Sequence, residues 1–549
     1  MQFRFPGNQF LDNPQIVRAE LAFDFFIRQY SAVQLPDSAA KSLPAQGYGV
    51  GKSSVKIKNG GFDHQPYPTC RQRTVQGESR AGIVMMELQE GVNKQDVSSR
   101  AERSTFHSCS ISKSLMYGKA PKEYLSLWSV IALGIGSMVG AGIFALMGQA
   151  TLMAGKNVYW SFILGGVAAL LSGYTYAKLG SRYPGSGGIM DYFNEAFSHK
   201  TLSGALTLIY LGTLVITVAL VAKSFGAYAS RLFLPDRAVT IYSTALFASV
   251  AILLLGALNM GGARAVGKSE VIMVAFKLLI LTVLMLASFG SSVPVGADPI
   301  PVKGLDGLLG SVGLTFFAFA GYGMMANTAG NLKNPSRTLP RAIFMAIGLV
   351  LALYLILSYV VLSNVPATSL ESHTETAVAQ AAYPVLGMWG FMAVSVAALI
   401  ATASAINATM FSMLDISRAL ARNGQLGAIF KQPFWGHGTE GFFYLLLGIL
   451  VMTNAFNLVA IANLAGACFL ISYLAVFVAH WRLRKETQGN ALLIILGFLL
   501  MLFILGAFFY QMFFSQPYLI PLIVLFVAAC FILEFLIRRK IAKNVPGVS

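Results

Sequence analysis

From Leu125 onward the chain is a succession of apolar runs of about twenty residues, each long enough as a helix to cross a hydrocarbon core of about 30 Å. In such a solvent every backbone N–H and C=O must be paired inside the protein, so runs of this length read as transmembrane helices. The balance of the sequence agrees: 56% of the 549 residues are apolar and 11% charged, against about 25% charged in soluble domains. Windows of spanning length fall near residues 126–147, 158–178, 202–223, 239–259, 268–289, 307–329, 342–363, 386–413, 441–456, 459–480, 491–513 and 518–537. The expected fold is therefore an all-α membrane protein of about 12 transmembrane helices.

The basic residues test that count. With a cytoplasmic N-terminus, the loops on that side hold Lys178, Arg182, Lys200, Arg264, Lys268, Lys333, Arg337, Arg341, Arg418, Arg422, Lys431, Arg482, Arg484 and Lys485, and the tail holds Arg538, Arg539, Lys540 and Lys543. The opposite loops hold Lys156, Arg231, Arg237 and Lys303. Cytoplasmic loops collect Lys and Arg, so the bias places both termini in the cytoplasm of a plasma or inner membrane. It also explains the net charge of +17 without nucleic acid, which is not expected as a partner.

Residues 1–115 differ in kind: polar, mixed in charge and without helical period, they read as a disordered extension lacking the apolar core of a secretory signal. Met116, directly before Tyr117-Gly-Lys-Ala-Pro-Lys122, is an alternative start. The membrane domain is expected over 116–540, with a cytoplasmic tail at 541–549. Cys70 and Cys109 lie in the polar extension, and Cys468 and Cys530 inside apolar runs, so neither a disulfide nor a metal site is expected. The histidines form no i, i+4 metal pair, and no Gly-Lys-Ser/Thr phosphate loop occurs, so neither cofactor nor direct use of ATP is expected.

The first span carries Gly134-Ile-Gly-Ser-Met-Val-Gly-Ala-Gly-Ile-Phe144. Glycine costs about 1 kcal/mol against alanine inside a helix, so four in nine residues argue against a plain one. Gly136 and Gly140 at four-residue spacing could let two helices pack closely. Alternatively the helix is interrupted, leaving N–H groups at the start of its second half to receive an anion. The sixth span has its own glycine-aromatic interruption, Phe316-Phe-Ala-Phe-Ala-Gly-Tyr-Gly-Met324, five spans later. Paired interruptions in two five-helix halves point to an inverted repeat with a site at its interface.

With these motifs the chain resembles the amino acid, polyamine and organocation superfamily of permeases. Further matches are Leu179-Gly-Ser-Arg-Tyr-Pro-Gly-Ser-Gly-Gly188, Leu258-Asn-Met-Gly-Gly262 leading to Lys277, Lys333-Asn-Pro-Ser-Arg-Thr-Leu-Pro-Arg-Ala-Ile343, and Ser417-Arg-Ala-Leu-Ala-Arg-Asn-Gly424. The resemblance implies a LeuT-type five-plus-five inverted repeat, about 126–289 and 307–480, followed by two helices over about 491–537. It implies that N–H groups around Gly140, Ala141 and Gly142 hold a substrate carboxylate. Carbonyls near Met138, Phe317 and Ala320, beside Gly321, would accept its ammonium. Phe317, Phe319 and Tyr322 are candidates to stack over the substrate as a gate, although ordinary aromatic packing explains any one of them equally well.

Lys277 stands in the middle of Val271-Ile-Met-Val-Ala-Phe-Lys-Leu-Leu-Ile-Leu-Thr-Val-Leu284, too far from either end to snorkel. Ionisable groups at such depth face a cavity or a partner, and a buried amine can load and release a proton. By the resemblance, this lysine takes the place of a coupling sodium ion near carbonyls of Gly136 and Val139 and hydroxyls of Thr402 and Ser404. A purely structural cation between helices is the competing reading. The acidic residues that many members carry after the sixth-span glycine-aromatic pair and before the Lys-Asn-Pro loop are absent, with Gly323 and Ala329-Gly-Asn-Leu332 in their place. A cationic substrate would want a buried carboxylate, so a neutral one is expected. Asn407 and Asn454 are read as inter-helix hydrogen-bonding groups.

The expected function is secondary active transport of a small neutral amino acid by alternating access, with a proton as coupling ion. The alternatives are an exchanger of amino acids or amines, and a membrane amino-acid sensor. No charged catalytic constellation lies within the spans, so an enzyme is not expected.

Overall fold

The computed structural model describes residues 124–185, 187–234, 241–261, 266–290, 299–434 and 438–544. The readings on residues 1–115, Met116, Cys70, Cys109, Arg237, Arg264 and residues 545–549 lie outside them.

Among the described residues ten helices are long and apolar enough to cross a membrane. The bent pair Leu127–Ala141 and Ile143–Ala154 makes an eleventh span, the first in chain order. The second to fifth spans are Val158–Arg182, Lys200–Phe233, Ile241–Gly261 and Val266–Gly290. The sixth is Leu305–Phe319, continued by a short 3-10 turn at Ala320–Tyr322 and the helix Gly323–Ala326. Pro335–Asn364 and Ala377–Arg422 are the seventh and eighth, and Leu458–Arg482, Ala491–Ser515 and Leu519–Asn544 the tenth to twelfth. The ninth is Glu440–Ala455, whose 16 residues fall just short of spanning length.

Most helices outrun their hydrophobic windows because a helix does not stop where hydrocarbon does. The eighth departs furthest from expectation: it begins at Ala377 rather than near 386, and Gly387 breaks it with φ 62°. That backbone region is open to glycine and strained for residues with a Cβ. Sequence windows also passed over the short helices Ile189–Ala196, Ala367–Ser372 and Arg484–Thr487, which lie between spans.

Burial sorts the bundle. The third, sixth and tenth spans are largely enclosed, with about 80% of their apolar window buried, whereas the twelfth has 17% buried and shows most of its surface outward. Both halves of the first span pack on the sixth, and the first half also packs on the fifth, seventh and eighth. Polar groups deep in the bundle pair across helices, since lipid offers no alternative partner. Thr315 donates to the Ser161 carbonyl at 2.8 Å, and Ser311 to the Ser161 hydroxyl at 2.8 Å, joining the sixth span to the second. Asn259 donates to Asn407 at 2.8 Å and Asn454 to Ser249 at 3.2 Å, so both asparagines bridge helices.

Candidate functional site

The two interrupted spans meet at their interruptions. In the first span the Gly142 N–H donates to the Met138 carbonyl at 2.9 Å, and the helix axis then bends by 50°. A Cβ on Gly142 would overlap the Ala318 carbonyl oxygen of the sixth span and stand 2.7 Å from both the Met138 carbonyl and the Tyr354 hydroxyl. A Cβ on Gly321 would stand 2.7 Å from the Met138 nitrogen and the Ser137 hydroxyl. Real Cβ atoms do not approach so closely, so glycine is what lets the backbones cross. Gly140 serves close packing too: a Cβ there would stand 2.5 Å from the Ala401 carbonyl of the eighth span. Packing and interruption are thus two uses of one glycine run.

The crossing sorts partial charge. The second half of the first span presents its N-terminus at Ile143, the positive end of a helix, while the first half of the sixth ends at Phe319, a negative end. The backbone acceptors there are engaged. Tyr354 of the seventh span lies within donating distance of two carbonyls, Met138 at 2.8 Å and Ala318 at 3.0 Å, although its hydroxyl carries one proton. Tyr473 of the tenth span donates to the Ala320 carbonyl at 2.8 Å, and the Ala320 N–H donates to the Phe317 carbonyl. A carbonyl has two lone pairs; Met138 already faces the Gly142 N–H and the Tyr354 hydroxyl, and Ala320 the Gly323 N–H and the Tyr473 hydroxyl.

Beside the crossing lies a cavity of about 20 Å³, lined by Ser137, Tyr210, Leu214, Thr217, Phe317, Ala318, Ala320, Gly321, Met324, Thr409 and Phe469. None of these is charged. Of the substrate-site residues named from sequence, Phe317, Ala320 and Gly321 line it, and Phe317 meets Phe469 edge-on at 5.1 Å. Met138, Gly140 and Gly142 belong to the helix crossing behind it, and the Ala141 backbone closes the first half-helix. Phe319 packs on Tyr354 at 5.0 Å, and Tyr322 joins a different cluster. The contributions of the third, eighth and tenth spans were missed. A Tyr, Thr or Phe within an apolar run has no periodic signature that separates cavity wall from core.

Lys277 is fully buried, and its Nζ donates to the Gly136 carbonyl at 2.8 Å, tying the fifth span to the first just before the interruption. Val139, Thr402 and Ser404 are buried as well, and the Thr402 hydroxyl donates to the Ala398 carbonyl of its own helix at 2.7 Å.

The cavity has unlike surroundings at its two ends. Toward the short helix Ile189–Ala196, four buried tyrosines pack together: Tyr176 lies 6.1 Å from Tyr192, 5.7 Å from Tyr322 and 5.1 Å from Tyr473. The Tyr322 hydroxyl donates to Ser172 at 2.6 Å, so this plug is pinned to the second span. Toward the other end the third span leads up to a chamber of about 550 Å³ with exposed residues on its rim.

The amino acid permease family model matches residues 125–530, which takes in both interruptions, Lys277 and the tyrosine cluster. The chain is 41% identical to the inner membrane transport protein YbaT of Escherichia coli over 72% of its own length and 92% of that protein. It is 31% identical to an uncharacterized protein of Methanocaldococcus jannaschii, over 76% of this chain and 96% of the other. A vacuolar cationic amino acid transporter of Arabidopsis thaliana is 27% identical, over 57% and 52% of the two chains.

Proposed function

The chain belongs to the amino acid permease family and is a membrane transporter, and we propose that it carries a small neutral amino acid by alternating access coupled to protons. The observation that carries this reading is the meeting of the two half-helices. The positive end at Ile143 suits a carboxylate and the negative end at Phe319 suits an ammonium, the two groups every amino acid has. The segment Gly140–Gly142, whose Gly142 N–H is held by the Met138 carbonyl, would turn the N–H groups that follow it toward the carboxylate. The Met138, Phe317 and Ala320 carbonyls would take the ammonium, with the Tyr354 and Tyr473 hydroxyls giving way at Met138 and Ala320.

Neutrality is supported by the lining. A plant relative is named for cationic amino acids, but no carboxylate lines the central cavity here, and a buried cationic side chain without one would be costly. The cavity as it stands has room for about one water and would have to widen beside Phe317 and Phe469 to take a substrate. With the Tyr176, Tyr192, Tyr322 and Tyr473 plug closed and the opposite chamber formed, the arrangement matches one end-state of alternating access. Phe317 and Tyr322 would act as gates on the two sides of the bound substrate, with Phe319 packed behind them.

Lys277 is assigned the coupling. While its amine is protonated it donates to the Gly136 carbonyl and holds the fifth span to the first. Loss of the proton would weaken that hold on the half-helix whose far end contacts the substrate. Uptake of a panel of labelled amino acids into proteoliposomes, with and without an inward proton gradient, tests the reading. Gradient-driven uptake of small neutral members is expected. Uptake that ignores the gradient and needs internal substrate would make the protein an exchanger, and saturable binding without uptake a sensor.

A further inference from the structure

The tenth and eleventh spans are joined by a turn that is pinned at the plugged end of the bundle. His480, fully buried, has its ring nitrogens 3.2 Å from the Thr175 hydroxyl of the second span and 3.1 Å from the Thr487 hydroxyl of the short helix Arg484–Thr487. Gln488 closes that helix with φ 51°, and its carbonyl accepts from the Lys178 amine at 3.4 Å. The Asn490 side chain then caps the eleventh span by accepting from the Leu492 N–H at 2.9 Å.

The turn presents positive charge. Arg484 stacks its guanidinium on the Trp481 ring, 3.9 Å from the centroid, which leaves the donor edge of the fork free. Lys485 stands exposed beside it. The acid of the turn, Glu486, accepts from the Tyr183 hydroxyl at 2.6 Å, and Arg482 is turned the other way, over Phe197. Among the described residues neither Arg484 nor Lys485 forms an ion pair.

Below these cations a groove of about 250 Å³ runs between the two spans, lined by Phe477, Val478, Trp481, Ile494, Ile495 and Phe498. Phe477 and Ile494 are its buried floor, while Val478, Trp481 and Ile495 are exposed on its outward side. Apart from the Trp481 N–H, these side chains are apolar. An apolar groove that ends at a tryptophan and then at two cations follows, in order, the acyl chain, interface and phosphate of one phospholipid. A free anion would use the cations alone, and zwitterionic headgroups would leave their charge in excess.

We propose that this groove binds one anionic phospholipid, its acyl chain along Phe477 and Ile495 and its phosphodiester on Arg484 and Lys485. The site does not depend on which substrate the central cavity takes. The purified full-length chain is titrated in detergent with dioleoylphosphatidylglycerol, dioleoylphosphatidylcholine or inorganic phosphate, and bound lipid is counted by native mass spectrometry. The proteins are wild type, Arg484→Gln with Lys485→Gln, Ile495→Trp, which fills the groove from an exposed position, and Arg418→Gln as a basic control elsewhere. Gel filtration reports folding and oligomeric state. Wild type and Arg418→Gln should retain one phosphatidylglycerol per chain in preference to phosphatidylcholine. Affinity for phosphatidylglycerol should fall about fivefold for each charge removed, and Ile495→Trp should lose the bound lipid with its cations intact. Equal retention of the two lipids by wild type, or a preference unchanged in both groove variants, would overturn the proposal. So would displacement of phosphatidylglycerol by inorganic phosphate, which would make this a bare anion site, or a wild-type dimer that Ile495→Trp dissociates, which would make the occupant a second copy of the chain.

Discussion

Tyr354 holds one proton between two carbonyls, one on each interrupted span. Removing the hydroxyl takes away the donor that both breaks share while leaving the ring packed on Phe162 and Phe319. A net buried hydrogen bond is worth about 1 kcal/mol, so Tyr354→Phe should raise the KM of uptake roughly five- to tenfold with the protein still folded. An unchanged KM would mean that the hydroxyl plays no part in setting the crossing. His373 gives a pH-dependent prediction. Burial, with the Arg231 charge beside it, lowers its pKa from the ordinary 6.5. Below about pH 6.5 the unfolded chain takes up a proton that the folded ring resists, so stability present above that pH is lost as pH falls. The melting temperature of wild type should therefore drop more between pH 7 and pH 5 than that of His373→Gln. Residues were unequally legible in the sequence. Lys277 stood out because a charge in an apolar run is costly whatever surrounds it. Tyr354, Tyr210 and Phe469 did not, because an aromatic residue in such a run is explained by packing alone until its neighbours across the bundle are known.

At the scale of elements, the glycines decide where helices may cross. Gly142→Ala drives a Cβ onto the Ala318 carbonyl, backbone that cannot swing aside, and should destabilise the protein by about 1–3 kcal/mol or more and abolish uptake. Gly348, on the seventh span, has nothing within 4 Å of where a Cβ would be. Gly348→Ala should leave uptake intact and stabilise by up to about 1 kcal/mol through helix propensity. Melting temperatures of the two variants, measured side by side, check both signs. The spans themselves were readable because hydrophobic length alone identifies them, and the paired interruptions because glycine clusters are conspicuous. Where the eighth helix begins was not, because the turn at Gly387 lies within a continuous apolar and helix-compatible stretch. Nor did the sequence separate glycines that pack from glycines that interrupt, since Gly140 and Gly142 sit two residues apart and do different things.

For the molecule as a whole, an enclosed core of the third, sixth and tenth spans surrounds a small uncharged cavity, with a tyrosine plug toward one end and a charged chamber toward the other. In the proposed alternating-access cycle these two ends exchange roles, and the driving force would enter at a group that the moving parts share. Lys277, joined to the first span at Gly136, is the group assigned to that task. The most direct test is uptake into proteoliposomes by wild type and Lys277→Ala over a range of external pH, with exchange against internal substrate measured in parallel. Wild-type uptake should rise with an inward proton gradient, and the variant should lose that dependence while still exchanging. A variant that keeps the full gradient dependence of wild type would contradict the coupling role and with it the proposed mechanism.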